Sequence, residues 1–301
     1  MLGSWPLGMP SSGSFYTEVA RSVEQHGFEL LCVGDHLFMY SPNADCMSVL
    51  AGWASVTERV SLVSAVLLMP LREPAVAAKQ LATIDYLSGG RLVAGVGVGG
   101  EIEQEWAAME VPVRDRGART DEYLEILKRL WSGEEINFEG KFRSLHGVTG
   151  SPLPATPGGP PIWVGGRSDA ALRRAARHDG WCAYACSPRR IGESVGKIHD
   201  FAGGEASGFR TSYVLFTCID DDPEEARATA TKVLQGRYHQ DFSKFLDAFC
   251  AVGDADHVRE RVEAYRAAGV DDVLLLPQVP AERYLDQVDR IADLLEIKPS
   301  A

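Results

Sequence analysis

Basic residues are scarce in this sequence, and no polybasic run is present. The 301 residues include 30 lysines and arginines against 42 aspartates and glutamates, which gives a formal net charge of −12. Such a charge repels a phosphate backbone, so we expect no nucleic-acid partner. A local basic pocket for a single phosphate group is still compatible with this balance.

Long apolar stretches are also missing. No run approaches the roughly 20 apolar residues that a membrane-spanning helix requires. The amino-terminal segment MLGSWPLGMPSSGS has neither the basic start nor the apolar core of a secretory signal peptide. We therefore expect a cytoplasmic protein with no membrane partner.

No two cysteines form a C-x-x-C pair, although the chain has 6 of them. Most lie within apolar runs, which is typical of buried thiols in a reducing compartment. Cys182 and Cys186 are four positions apart and have no second ligand pair, so the sequence predicts no metal site. The cysteines are Cys32, Cys46, Cys182, Cys186, Cys218 and Cys250.

Strand and helix patterns alternate along the whole chain. Apolar runs such as RVSLVSAVLLMP are typical of buried parallel strands, and segments such as PAVAAKQLATIDYLSGG have the start and stop signals of a helix. With a poorly patterned first strand near residues 2–8, we count eight strands. We predict one α/β domain over residues 1–301, a (β/α)8 TIM barrel. An open doubly wound sheet is the alternative fold.

Residues 132–160 interrupt this alternation. They contain FEGKFRSL, which predicts a short hairpin or an extended excursion, and then the Pro- and Gly-rich stretch SPLPATPGGPP. Because the alternation resumes directly afterwards, we interpret the segment as a surface insertion and not as a domain boundary.

The stretch LVAGVGVGGEIEQE contains a G-x-G-x-x-G pattern at Gly95, Gly97 and Gly100. A dinucleotide-binding fold needs this pattern after its first strand and an acidic strand end about 20 residues later. Here the pattern ends the fourth strand, and a helix follows at that distance. In a barrel, glycines at this end, including Gly99, allow the backbone to approach a flat ligand. An ordinary tight turn is the alternative interpretation.

Asp35 and His36 end the second predicted strand, where a barrel places its active site. An imidazole can move a proton near neutral pH, and a carboxylate can accept a hydrogen bond from cofactor or substrate. The alternative is that Asp35 caps the following loop and that His36 is a solvated neighbour.

The segment from Gly165 to Ser168 joins a later strand to a helix. Free backbone N–H groups of Gly165 and Gly166, the Arg167 guanidinium and the Ser168 hydroxyl suit a phosphate group. Arg189, with Arg190 beside it, extends this basic patch in our interpretation. An ordinary capped helix and surface arginines are the alternatives.

Several segments, in order along residues 15–278, resemble the bacterial luciferase-like monooxygenase family. The resemblance implies a TIM barrel that binds FMN or the deazaflavin coenzyme F420 at its carboxyl-terminal mouth. The amino-terminal MLGSWPLGMP departs from the family pattern. The segments are GFELLCVGDHL, RVSLVSAVLLMPLREPAVAAKQLATIDYLSGGRLVAGVGVGGEIEQE, RGARTDEYLEILKRLW, FEGKFRSL, PPIWVGGRSDAALRRAARHDGW and DDVLLLP.

The GDH and GVGVGGE motifs resemble the F420-dependent reductases and dehydrogenases more than the light-emitting luciferases. This resemblance implies that His36 lies over the reactive face of the ring and that Glu101 is a general acid or a ring contact. It also implies a bulge with a non-proline cis peptide within Ser64, Ala65 and Val66, which backs the ring. Glu103 and Glu105 are expected to be solvated.

The resemblance implies an oxidoreductase that transfers a hydride between coenzyme F420 and a small organic substrate. The alternatives are an FMN-dependent monooxygenase that uses O₂ and a non-catalytic flavin-binding barrel. An aldolase-type barrel would need a Schiff-base lysine at a strand end, and Lys79, Lys128 and Lys141 all lie elsewhere. The resemblance also implies a homodimer.

Overall fold

A computed structural model describes residues 2–3, 10–100, 102–205 and 207–298, the first pair by backbone alone. Glu101 lies outside the described residues, and so does most of the predicted first strand. The α-helices of the described residues are α1 (Ser14–His26), α2 (Cys46–Ala54), α3 (Pro74–Ser88), α4 (Glu103–Ala108), α5 (Arg116–Trp131), α6 (Asp169–Ala175), α7 (Pro188–Ala202), α8 (Pro223–Tyr238), α9 (Ser243–Phe249), α10 (Ala255–Ala267) and α11 (Tyr284–Leu294).

The strands of the described residues form one large parallel sheet and one separate hairpin. Short 3-10 turns at Met69–Leu71, Val113–Asp115 and Ala281–Arg283 join some of the elements. The strands are β1 (Leu2–Gly3), β2 (Leu30–Val33), β3 (Ser61–Ser64), β4 (Leu67–Leu68), β5 (Leu92–Gly97), β6 (Glu135–Glu139), β7 (Ser144–Thr149), β8 (Ile162–Gly165), β9 (Gly180–Tyr184), β10 (Arg210–Ile219), β11 (Ala251–Gly253) and β12 (Asp272–Pro277).

The large sheet closes on itself into a barrel. Its order runs β10-β12-β1-β2-β3-β5-β8-β9, and β9 pairs with β10 to complete the circle. All of these pairings are parallel, and a helix follows each barrel strand. The predicted TIM-barrel class is therefore confirmed, and the open doubly wound sheet is excluded.

Local sequence signals explain where the helices begin and end. Gly27 and Gly89 end α1 and α3 in the left-handed conformation, with φ of 88° and 69°, which costs little only for glycine. Proline opens α3 at Pro74, where its missing N–H has no helical partner to lose. The Ser168 hydroxyl accepts from the Ala171 N–H at 3.3 Å and caps α6.

The insertion predicted over residues 132–160 lies outside the barrel. Strands β6 and β7 make an antiparallel hairpin outside the barrel, and the remainder crosses the surface to β8. The six cysteines are all buried and reduced, as their apolar surroundings indicated. None of the described helices combines the length and apolar character that crossing a bilayer would require.

Candidate active site

A cavity of about 260 Å³ opens at the carboxyl ends of the barrel strands. This is near the lower end of the range for small-molecule sites, about 300 Å³. Most of the residues proposed from the sequence line it, and they come from the ends of β2, β3, β5 and β8. These are Asp35, His36, Ala65, Val66, Gly97, Gly99, Gly165, Gly166 and Arg167.

The structure does not bring every proposed residue to the cavity wall. Ser64, Gly100, Ser168 and Arg189 are not among its lining residues. The Arg189 side chain is 87% exposed and pairs with Glu193 on α7 at 3.5 Å. A guanidinium in that position belongs to the solvated outer surface, so the interpretation as a surface arginine fits better.

The chain bulges between β3 and β4, on the cavity side. Four residue steps along the chain from Val63 to Leu67 oppose three steps along β5, from Val93 to Val96. The extra residue is a β-bulge. The peptide bond between Ala65 and Val66 within it is cis, as the resemblance implied. The predicted contact of these residues with a cofactor ring stays a prediction.

Three glycines make room for this bulge. A Cβ on Gly95 would overlap the Ser64 carbonyl oxygen, and a Cβ on Gly97 would lie 2.5 Å from Val66 Cγ2. Gly165 is similarly close, with 3.0 Å between its added Cβ and the same methyl group. The G-x-G part of the motif therefore serves the close approach of the neighbouring strand.

Asp35 is buried and acts mainly within the fold. Its carboxylate accepts from the Leu68 N–H at 2.9 Å and from Arg72 Nη2 at 2.6 Å. Burial alone would lower the pKa of Arg72, but the Asp35 and Asp45 carboxylates outweigh burial and raise it. Asp35 thus fixes the end of β4, the strand that follows the bulge, which is close to the loop-capping role that was the alternative interpretation.

His36 is held by a residue that sequence reasoning missed. Its Nδ1 lies 3.1 Å from both carboxylate oxygens of Glu105, which is fully buried on α4. The expectation that Glu105 is solvated is wrong. The same carboxylate accepts from the backbone N–H groups of Leu37 at 2.6 Å and Phe38 at 3.1 Å.

The loop after β8 combines glycine conformation with one guanidinium. Gly166 has a φ of 111°, and its carbonyl accepts from the Trp181 indole N–H at 2.7 Å. Arg167 donates to the Ala185 carbonyl at 2.8 Å, which ties the loop to the end of β9. Ser168 is used as the cap of α6. The basic group that reaches this loop from α7 is Arg190, which donates to the Arg167 carbonyl at 3.1 Å.

The opposite wall of the cavity is apolar and aromatic. The Tyr184 and Phe216 rings lie 5.6 Å apart and continue into Phe245 behind them. Burial raises the pKa of the Cys182 thiol to about 11, so it stays protonated and is a poor nucleophile near neutral pH. The residues of this wall are Cys182, Tyr184, Val214, Phe216, Tyr238 and Leu276.

Metal ligands do not cluster in the part of the chain that the structure describes, where no group of three His, Cys, Asp or Glu side chains could hold an ion. The polar groups that the described residues bring to the cavity include His36 with its carboxylate, backbone groups around the bulge and the Arg167 loop. An imidazole held by a carboxylate, a wall formed by the bulge and glycine backbone, and a separate cationic loop suit a site that holds a ring with an anionic tail.

Comparison with known proteins gives relatives with two kinds of cofactor. The chain is 27% identical over 296 residues to an FMNH₂-dependent dimethylsulfone monooxygenase of Pseudomonas putida, covering 85% of this chain and 81% of that protein. It is 31% identical over 166 residues to an F420-dependent glucose-6-phosphate dehydrogenase of Nakamurella multipartita, covering 53% of this chain and 48% of that protein.

A solved structure with the same fold is the monooxygenase RslO1 from Streptomyces bottropensis. It has a TM-score of 0.85 and 24% identity, with 98% of each chain covered. The family model for luciferase-like monooxygenases matches residues 4–272. That match spans all the barrel strands from β2 to β10 and reaches the first residue of β12. The chain belongs to the luciferase-like monooxygenase family.

Proposed function

We propose that this protein transfers a hydride between coenzyme F420 and a small organic substrate. The observation that carries the proposal is the His36–Glu105 pair, because the His36 imidazole lines the same cavity as the Ala65–Val66 bulge. A carrier protein would need the floor and the cationic loop but would have no use for an oriented base. The family and its F420-dependent relative are consistent with this activity.

The described residues fit a flat ring with a phosphate-bearing tail. The Ala65–Val66 bulge, with the backbone of Gly97 and Gly99 beside it, would support the ring. Gly166 and Arg167 would bind the phosphate, since a backbone N–H and a guanidinium both donate to anions. When bound, the cofactor supplies the hydride chemistry, and the protein supplies placement and proton control.

His36 would hold or move the proton that accompanies hydride transfer. Its Nδ1 is engaged by Glu105, so Nε2 would be the ring nitrogen that carries the acid–base chemistry. A side chain that transfers a proton in the transition state contributes roughly 100- to 10,000-fold in rate. Glu101, which lies outside the described residues, remains a proposed general acid or ring contact.

We further propose that the substrate is neutral and largely apolar. Arg167 is the only arginine or lysine among the described residues that line the cavity, and the cofactor phosphate would use it. The wall formed by β9, β10 and β12 presents mainly carbon to the substrate. Sugar phosphates are therefore expected to be poor substrates, whereas neutral alcohols or ketones should be turned over, and steady-state rates with the two classes test this.

An FMN-dependent monooxygenase reaction is the second candidate. The FMNH₂-dependent relative matches a larger share of this chain than the F420-dependent relative does, 85% against 53%. In that case the reduced cofactor would react with O₂, and the same cavity would have to exclude water from the reacting atoms.

Equilibrium binding of the two cofactors tests the proposal. We expect F420 to bind more tightly than FMN when each is titrated with protein and its fluorescence is followed. Riboflavin, which lacks the phosphate, is the control for binding of the ring alone. Micromolar binding of FMN together with no F420 quenching would contradict the proposal and favour the monooxygenase.

A homodimer remains our expectation for the assembly. Light scattering coupled to size-exclusion chromatography should then give twice the chain mass of 32.7 kDa. A mass of one chain at micromolar concentration would contradict it.

A further inference from the structure

Glu105 lies where a solvated acid was expected, yet its side chain has no exposure to solvent. It occupies the first turn of the short helix α4, and Ile102 and Trp106 beside it are also buried. Burying a carboxylate is unfavourable unless hydrogen bonds inside the protein replace those lost to water. A buried carboxylate therefore lowers the stability of the fold, and its presence suggests that it has a specific role.

Among the described residues, three nitrogen atoms of one loop lie within hydrogen-bond distance of the Glu105 carboxylate. They are the backbone N–H groups of Leu37 and Phe38 and the Nδ1 position of His36. An ionised carboxylate only accepts hydrogen bonds. The proton of a neutral His36 ring must therefore lie on Nδ1 for this contact to be favourable, which leaves Nε2 as the basic nitrogen.

We propose that Glu105 is a positioning residue that selects the Nδ1–H tautomer of His36 and fixes the plane of its ring. The Asn43 amide donates to the His36 carbonyl at 2.9 Å and holds the backbone on the other side. The base is thus fixed through both its backbone and its ring. This inference rests on the proposed function for its kinetic consequence, but the tautomer itself exists without any cofactor.

The tautomer can be measured directly by NMR. Protein labelled with ¹⁵N-histidine should show His36 protonated on Nδ1 in two-bond ¹H–¹⁵N spectra, and the His36→Ala variant identifies the signal. In Glu105→Gln the amide oxygen can still accept from Leu37 and Phe38, while the amide N–H₂ then faces the ring. His36 should accordingly switch to the Nε2–H tautomer.

Glu103→Gln is the matched control, because Glu103 is an exposed acid on the same helix. It should leave the His36 signal unchanged. A wild-type ring protonated on Nε2, or no change in Glu105→Gln, would overturn the proposal. If Glu105→Gln fails to fold, the wild-type tautomer alone decides.

Measurements of kcat then distinguish a Glu105 that positions His36 from a Glu105 that only supports the loop. Glu105→Gln should lower kcat by roughly 100-fold or more, the scale for loss of an effective base. In a His36→Ala background the same change should have no further effect, because Glu105 acts through His36. Additive losses would contradict positioning. If neither cofactor supports turnover, the proposed function fails, whereas the NMR result still decides the role of Glu105.

Discussion

Of two depressions on this molecule, the smaller one has the features of an active site. The cavity at the barrel mouth measures about 260 Å³, whereas a groove between α5 and the β6–β7 hairpin measures about 660 Å³. The larger one is lined by side chains of α5, by the segment that leads into β6, and by Arg177 and His178 after α6, and no barrel strand ends there. Convergence of strand ends, and not volume, marks the site in a barrel.

The charged groups of the two regions are held differently. At the mouth, Glu105 and Asp35 are buried and each accepts several hydrogen bonds. In the groove, Arg129 pairs with Glu125 at 2.6 Å, but the two side chains are 46% and 52% exposed. Exposed pairs contribute about 0–1 kcal/mol, so the groove charges form a solvated surface.

The largest expected contrast follows from removing the base at the mouth. His36→Ala should reduce turnover by roughly 100- to 10,000-fold, since the acid–base group is lost. Cofactor affinity should fall much less. The free energy of unfolding should fall by no more than about 1–3 kcal/mol, because Glu105 keeps its two backbone donors. Rates under saturating cofactor and urea denaturation measure both.

Lys128→Ala in the groove is the matched control for that experiment and should leave turnover unchanged. Unchanged specific activity of folded His36→Ala protein would show that His36 is only a packed side chain. A drop in cofactor affinity with no turnover in the wild type would instead favour the carrier protein.

The cationic loop should control binding and not rate. Arg167→Ala should weaken cofactor binding by roughly 1.5–3 kcal/mol, the range for a hydrogen bond to a charged group. Arg189→Ala is the control, because its exposed guanidinium lies away from the cavity. Titration of cofactor fluorescence measures both variants. An unchanged dissociation constant in Arg167→Ala would show that this loop is only the capped start of a helix and does not bind the cofactor phosphate.

The floor of the mouth should be sensitive to a single added methyl group. In Gly97→Ala the new Cβ would lie 2.5 Å from Val66 Cγ2, so the bulge must shift, at a cost of roughly 1–3 kcal/mol. Gly196→Ala, in α7 with no atom within 4 Å of the new Cβ, should be neutral or stabilising by up to about 1 kcal/mol. Equal stability of the two variants in urea would contradict this account.

The fold was predictable because its signals are local. Continuous apolar runs, Gly27, Gly89 and Pro74 define strands and helix ends within a few residues of sequence. The hairpin in the insertion has the same kind of signal. The bulge beside β5 followed from the family resemblance and not from periodicity, because its partner strand lies about thirty residues away.

The site was less predictable because its contacts are distant in sequence. Glu105 and His36 are separated by 69 positions, and Asp35 meets Arg72 across 37. One local signal for Glu105 did exist. Ile102 and Trp106, three positions before it and one after it, place it beside the apolar face of a helix. An acid on such a face needs a partner inside the protein, which is a reason to look for one.

The smallest predicted effect is a change in stability with pH that comes from His178 in the groove. Burial lowers the pKa of His178 from 6.5 to about 4, and no described hydrogen-bond partner meets its Nδ1. Such a shift alone does not make a site. Because the unfolded chain binds a proton below about pH 6.5 and the native chain does not, stability should fall as pH decreases towards 4 and level off below it.

The expected loss is about 1–2 kcal/mol between pH 8 and pH 5, reduced from the full value because His178 is partly solvated. Urea denaturation at the two pH values measures it, and the non-titrating His178→Gln variant isolates this residue from the other six histidines. The variant should lose less stability than the wild type over this interval, while turnover at pH 8 stays the same in both. Equal losses would show that His178 is protonated in the native groove, and a change in turnover would connect the groove to the mouth.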